Sequence, residues 1–165
     1  MPAALSLRRG LTPSDRHRVY EIVRATRFFS AAEEQIAVEL VDEATAKGEA
    51  GSGYHFLFAE RDEAVIGYAC YGPIPGTVSS FDLYWIAVDA GAQGAGIGRS
   101  LHDAAEAAIQ ELGGTRLYAD TSSKPQYEPT RAFYRRMGYR EAARLEDFYA
   151  AGDGKVIFEK ALGAG

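Results

Sequence analysis

The sequence contains a single cysteine, Cys70, and no apolar run near the ~18–20 residues that span a bilayer. One cysteine excludes an internal disulfide and makes the cytoplasm the expected compartment, with no membrane partner. In an apolar stretch it reads as a small buried hydrophobe. Positive charge is in deficit: 18 Lys and Arg stand against 23 Asp and Glu, a formal net charge of −5. That balance offers no broad basic surface and argues against a nucleic-acid partner. The three histidines, His17, His55 and His102, show no metal-ligand spacing, so no metal is expected. Residues 1–9 lack the apolar core of a signal segment and run at once into Arg8 and Arg9. No repeat or low-complexity tract is present.

What remains is the composition of one globular domain. A chain of 165 residues falls within the ~100–200 of a single domain, and its size buries roughly 68–70% of the unfolded surface. Residues 5–8 read as a first strand. Thr12, Pro13 and Asp15 read as a helix start with Thr12 as cap, followed by Val19, Ile22 and Val23 at helical spacing to about residue 27. Ser30 and Glu33 form a capping box for a second helix, with an apolar stripe of Ile36, Leu40 and Val41 and a glycine break over 48–53. Residues 54–60 and 64–71 are β-branched and aromatic runs around a turn at Arg61, Asp62 and Glu63. Residues 81–88 form a strong strand, 99–112 a helix stopped by Gly113 and Gly114, and 116–121 another strand. A short helix over 131–137 precedes final strands at 144–149 and 156–161. The order is β-α-α-β-β-β-α-β-α-β-β, an α/β fold with one mixed sheet flanked by helices, read as a single domain over residues 1–165.

The glycines are concentrated after the strong strand, where residues 86–100 pass from strand to loop to helix. A helix start presents unpaired N–H groups and about half a positive charge. Glycines clear away the side chains that would keep an anion from them, so this segment is expected to hold a phosphate or pyrophosphate. A P-loop would need a lysine after the glycines, and none follows. A dinucleotide fingerprint would need the third glycine one position later than Gly98. The run Gln93-Gly94-Ala95-Gly96-Ile97-Gly98 fits a third pattern, Gln/Arg-x-x-Gly-x-Gly/Ala.

That pattern resembles the signature of the GCN5-related N-acetyltransferases. The likeness extends to the strand at 83–88, to an Ala/aromatic-Tyr-x-x-x-Gly-Phe/Tyr helix end at 130–139, and to the two helices before the first hairpin. It implies a largely antiparallel central sheet, acetyl-CoA as cosubstrate, and transfer of the acetyl group to a primary amine by direct attack on the thioester. By the resemblance, the backbone at Ile86, Ala87 and Val88 would pair with the pantetheine arm. N–H groups from Gln93, Gly94, Ala95, Gly96, Ile97 and Gly98 would hold the pyrophosphate, with Arg99 or Ser100 adding a phosphate contact.

The chemistry requires a base for the ammonium and a proton for the leaving thiolate. Tyr134 stands where the family places its proton donor, the alternative being an aromatic packed on the sheet, a place Phe133 suits better. Asp82 and Asp120 are the candidate bases. Arg27, Phe29, Glu33 or Glu34, Tyr84 and Phe148 are candidates to line the acceptor site, Glu33 having a helix cap as its alternative. The sequence departs from the family in containing no asparagine, a residue usual after the fifth strand. Ser122, Ser123 or Tyr127 is the candidate replacement. The implied acceptor is a small amine metabolite or amino acid. The alternatives are a protein N-terminus, as in the ribosomal-protein branch, or a non-catalytic acyl-CoA sensor; a homodimer is compatible with each.

Overall fold

The computed structural model describes residues 4–163. Strand β1 (Ser6–Arg9) pairs antiparallel with β2 (His55–Arg61), and β2 with β3 (Ala64–Pro73). The β2–β3 turn has only Asp62 and Glu63 at its tip, both with positive φ (52° and 64°). Such a two-residue turn follows the right-handed twist of its strands.

Helix α1 (Asp15–Ala25) starts later than its Thr12-Pro13 signal, with Ser14 at the cap position. The reason is Asp15. Its carboxylate accepts the Thr12 N–H at 2.7 Å and pairs with Arg8 Nη2 at 2.8 Å, which compensates a nearly fully buried charge. Val19, Ile22 and Val23 point into the core as expected. Helix α2 (Ala31–Ser52) opens with the expected capping box, Ser30 Oγ accepting from Glu33 N and Glu33 Oε1 accepting from Ser30 N. Of its expected stripe Val41 is buried and Leu40 half-buried, but Ile36 is 49% exposed, and Ala37, Val38 and Ala44 complete the inward face. The expected glycine break is a kink at Gly48 (φ 77°) inside the helix, which ends at the left-handed Gly53.

Strand β4 (Ser80–Val88) leads through a single 3-10 turn at Ala90–Ala92 into α3 (Ile97–Glu111). Then follow β5 (Arg116–Ser122), α4 (Glu128–Arg136), β6 (Arg140–Ala150) and β7 (Asp153–Ala161). The element order is the expected one, with α4 and β6 each beginning a few residues early. The seven strands form one mostly antiparallel sheet in the order β1-β2-β3-β4-β5-β7-β6, the β4–β5 pair being parallel. Among the described residues no helix is long and apolar enough to cross a membrane.

The chain divides into two compact units, and β4 contributes to both. The first holds the described residues up to Gly72 together with Trp85–Ala107. Its core includes Phe56, Phe58 and Tyr68, whose rings stack at 6.2–6.4 Å, the buried Cys70, and Ile97 and Leu101 of α3. The second holds Pro73–Tyr84 and the described residues from Ala108 onward. On one side of its strands Leu117, Ala119, Val156 and Phe158 pack with Tyr134, Met137 and Tyr139. Strand alternation turns Tyr118, Asp120, Lys155 and Ile157 to the other side.

Candidate active site

The glycine loop lies in the first unit. Asp89 follows β4 and caps the 3-10 turn, and Arg18 of α1 grips its carboxylate while also donating to Val65 O at 2.7 Å. Gln93 donates through Nε2 to Val88 O at 3.2 Å, tying the loop to the strand it leaves. Gly94 and Gly96 have φ of 86° and 75°, a region costly to other residues. A Cβ at either would meet no atom within 4 Å. The turn therefore needs glycine for its backbone shape, and the space beside it is open. Ser100 N bonds Gly96 O at 3.1 Å, which makes Gly96 the residue before the first helical turn. The first N–H groups of α3, from Ile97, Gly98 and Arg99, are the ones a helix cannot satisfy internally, and no acidic side chain stands in that turn. Ile97 is buried, Gly98 and Ser100 half-buried, and Gln93, Ala95 and Arg99 exposed. This arrangement fits a pyrophosphate.

Ile86 and Val88 are half-buried and Ala87 is buried. The ladder between β4 and β5 carries register pairs only from Ser80–Arg116 to Asp82–Tyr118. Within the first unit, the later part of β4 is consequently an edge. An edge presents backbone groups to which an extended chain can add.

The second unit carries a cleft of about 360 Å³ lined by Ile74, Thr77, Ser80, Asp82, Tyr118, Asp120, Lys155 and Ile157. Parallel pairing sets Asp82 beside Tyr118, and Asp120 follows on the same side of β5. The two candidate bases thus meet in one place. Burial and the neighbouring Asp120 charge push the Asp82 carboxyl up to about 6, with Lys155 opposing. Lys155 Nζ lies 3.2 Å from Asp120 Oδ2 and 4.7 Å from the centre of the Phe148 ring. The sequence reading missed Lys155, Tyr118 and Ile157. Their signal was the two-residue period of β7 and β5, readable only once the two strands are paired.

Tyr134, rather than Phe133, is the aromatic packed on the sheet: it is buried, 5.5 Å from Phe158 and 5.2 Å from Tyr139, with the half-buried Phe133 edge-on at 5.8 Å. Burial, and then the charge of Asp120, raise its phenol well above the ordinary tyrosine value. The hydroxyl therefore keeps its proton at working pH.

The remaining candidates have local settings of their own. Glu33 is engaged in the capping box. Arg27 is exposed at a positive φ of 56° after α1, and Phe29 packs edge-on against Trp85 at 4.7 Å. Tyr84 and Tyr127 are half-buried. Ser123 Oγ accepts Gly154 N at 2.8 Å, and Ser123 N donates to Gly154 O, so this serine ties β5 to the start of β7. The loop lacking the usual asparagine is organised by Arg131, buried in α4, which donates to Ser122 O at 2.6 Å and Lys124 O at 3.0 Å.

Comparison with known proteins agrees with this geometry. The chain matches the acetyltransferase (GNAT) family over residues 16–139, which spans both compact units. A crystal structure from Desulfovibrio desulfuricans, of a protein assigned to the GNAT acetyltransferases, is 42% identical, covers 97% of this chain and 100% of its own, and superposes with a TM-score of 0.92. The ribosomal-protein-S18-alanine N-acetyltransferase of Escherichia coli shares the fold at 18% identity and a TM-score of 0.76, covering 97% and 95%. So does a Salmonella typhimurium protein solved with acetyl-CoA, at 17% identity and a TM-score of 0.74, covering 98% and 96%. No curated protein matches. On the family match and the 42% identity, the chain belongs to the GNAT family of acetyltransferases and is an acyltransferase.

Proposed function

We propose that the protein transfers an acetyl group from acetyl-CoA to the primary amine of a small metabolite or amino acid. The observation that carries this reading is the pairing of Asp82 and Asp120 in one cleft, two carboxylates where an ammonium group would be received. The glycine loop supports it by offering an open anion cradle. The 16–139 match is in keeping with one catalytic domain.

Acetyl-CoA supplies an activated acetyl group as a thioester. Backbone N–H groups from Gln93 to Gly98 would hold its pyrophosphate, and the β4 edge at Ile86–Val88 would hold its extended arm. An amine arrives as an ammonium, drawn by the negative charge of the cleft. Asp82, with a carboxyl near 6, is ionised at neutral pH yet basic enough to accept a proton. Asp82 passes that first proton to solvent, and the freed amine attacks the thioester carbon; the N–C bond forms, the C–S bond breaks, and the second proton lost from nitrogen is taken up by Asp82. Tyr134 then gives its proton to the departing sulfur and regains one from solvent. Its raised pKa keeps the phenol protonated until that step.

The test is release of free CoA across a panel of small amines, amino acids and peptides. Turnover of a small amine above that of every peptide supports the reading. Faster turnover of a peptide N-terminus overturns the acceptor class. Binding of ATP or NAD in preference to acetyl-CoA, measured by calorimetry, overturns the donor.

A further inference from the structure

Asp82 and Asp120 are alike in sequence terms, and the proposed mechanism needs only one base. Two carboxylates in a single cleft oppose each other's ionisation. The groups facing them are Tyr118 on β5, Lys155 on β7, and Ser80 and Thr77 on the β4 side, while Tyr134 of α4 feels Asp120 from the other side of the sheet. Lys155 alone among these is a cation. It stands 3.2 Å from Asp120 Oδ2, and among the described residues Asp82 makes no ion pair. The lysine is held there from the solvent side as well, with Nζ 4.7 Å from the centre of the Phe148 ring. Phe148 itself is 53% exposed, so its ring acts on the cleft through Lys155.

Resting on the acetyltransferase reading above, we infer that Lys155 is a positioning residue that gives the two carboxylates different tasks. Its ammonium engages Asp120, and Asp82 is left as the carboxylate that meets the acceptor's ammonium and takes its proton. The ionised cleft then carries one uncompensated negative charge, which matches an acceptor with one amine. A diamine's second ammonium would have to displace Lys155 from Asp120.

The experiment uses the full chain, acetyl-CoA, and a monoamine that the wild type turns over, with kcat/KM followed against pH. Lys155→Met keeps the length of the stem and removes the charge. It is expected to move the acid limb to higher pH by about one unit, the scale of a single nearby charge. Lys155→Arg restores the limb, and Asp120→Asn moves it to lower pH by relieving Asp82 of a like charge. The rate ratio of an α,ω-diamine to the monoamine rises several-fold in Lys155→Met. Acetyl-CoA affinity measured by calorimetry stays at the wild-type value, which separates these effects from misfolding. An acid limb unmoved in Lys155→Met, with wild-type turnover intact, overturns this inference and leaves the acetyltransferase reading standing. A wild type inert toward every amine overturns both.

Discussion

Asp82→Asn tests whether the proposed base costs stability. The carboxyl is raised from 3.8 to about 6 in the folded protein, chiefly by burial and then by Asp120. A raised carboxyl is one whose ionised form the fold disfavours. Its penalty is complete above the folded pKa, shrinks as the pH falls through about 6, and is gone below the unfolded value of 3.8. A shift of about two units corresponds to roughly 3 kcal/mol at ~1.4 kcal/mol per unit. Asp82 is only partly buried, so solvent screening reduces this to about 1 kcal/mol. Asparagine has nearly the same shape and no charge. At pH 7.5 the variant should be more stable by that amount, a rise of about 2–4 °C in Tm for a chain of this size. At pH 4.5 most of the gain should have disappeared. Over the same range acetyl transfer should fall by about two orders of magnitude or more, the usual contribution of a positioned base. Thermal denaturation at the two pH values, beside initial rates, checks both arms. A lower Tm at pH 7.5, or an equal gain at both pH values, would refute the electrostatic reasoning.

Three further outcomes are expected. Gly96→Asp should leave a folded protein, because a Cβ there meets nothing within 4 Å, at a backbone cost of about 1 kcal/mol for the left-handed φ. Its carboxylate would face the pyrophosphate, and since each like charge at 4 Å costs ~1 kcal/mol in water, CoA affinity measured by calorimetry should drop at least ~10-fold and recover partly in salt. Tyr134→Phe should lower kcat by about 10²-fold, the low end for a proton donor to a leaving thiolate, with CoA affinity unchanged; an unaltered rate and pH profile would remove the phenol from the mechanism. Glu63→Gly should raise Tm by about 2 °C, since φ of 64° at the hairpin tip suits glycine, and a fall in Tm would show that the Glu63 side chain compensates its backbone.

The element order was readable because each helix and most strands carry an apolar period. The departures have local causes. Edge strand β6 is exposed along nearly its whole length, so its first residues, Arg140 to Ala143, show no inward and outward alternation. The start of α1 offered several competing short polar residues, and the choice among Thr12, Ser14 and Asp15 fell to Arg8, a residue of another element. In α2 the most apolar side chain, Ile36, lost its place inside to Ala37, Val38 and Ala44, since close packing selects for size as well as hydrophobicity.

The glycine loop and the acid cleft differ in legibility for the same kind of reason. The glycine loop is local: left-handed glycines and a helix start leave a pattern within six consecutive residues. The acid cleft is non-local, made by β4 pairing with β5 and β5 with β7, and neither pairing is written in any short stretch. That non-local geometry also accounts for two opposite environments on one pair of strands. Ala119, Thr121, Val156 and Phe158 turn toward α4, where Tyr134 is buried and keeps its proton. Asp120, Lys155 and Ile157 alternate with them and turn to the half-open cleft, where Asp82 ionises near neutrality. Asp120 acts electrostatically on both sides, raising the Asp82 carboxyl and the Tyr134 phenol together. A single pleat thus sets a carboxyl near 6 and a phenol raised well above its ordinary value, each in the protonation state that the proposed acetyl transfer asks of it at neutral pH.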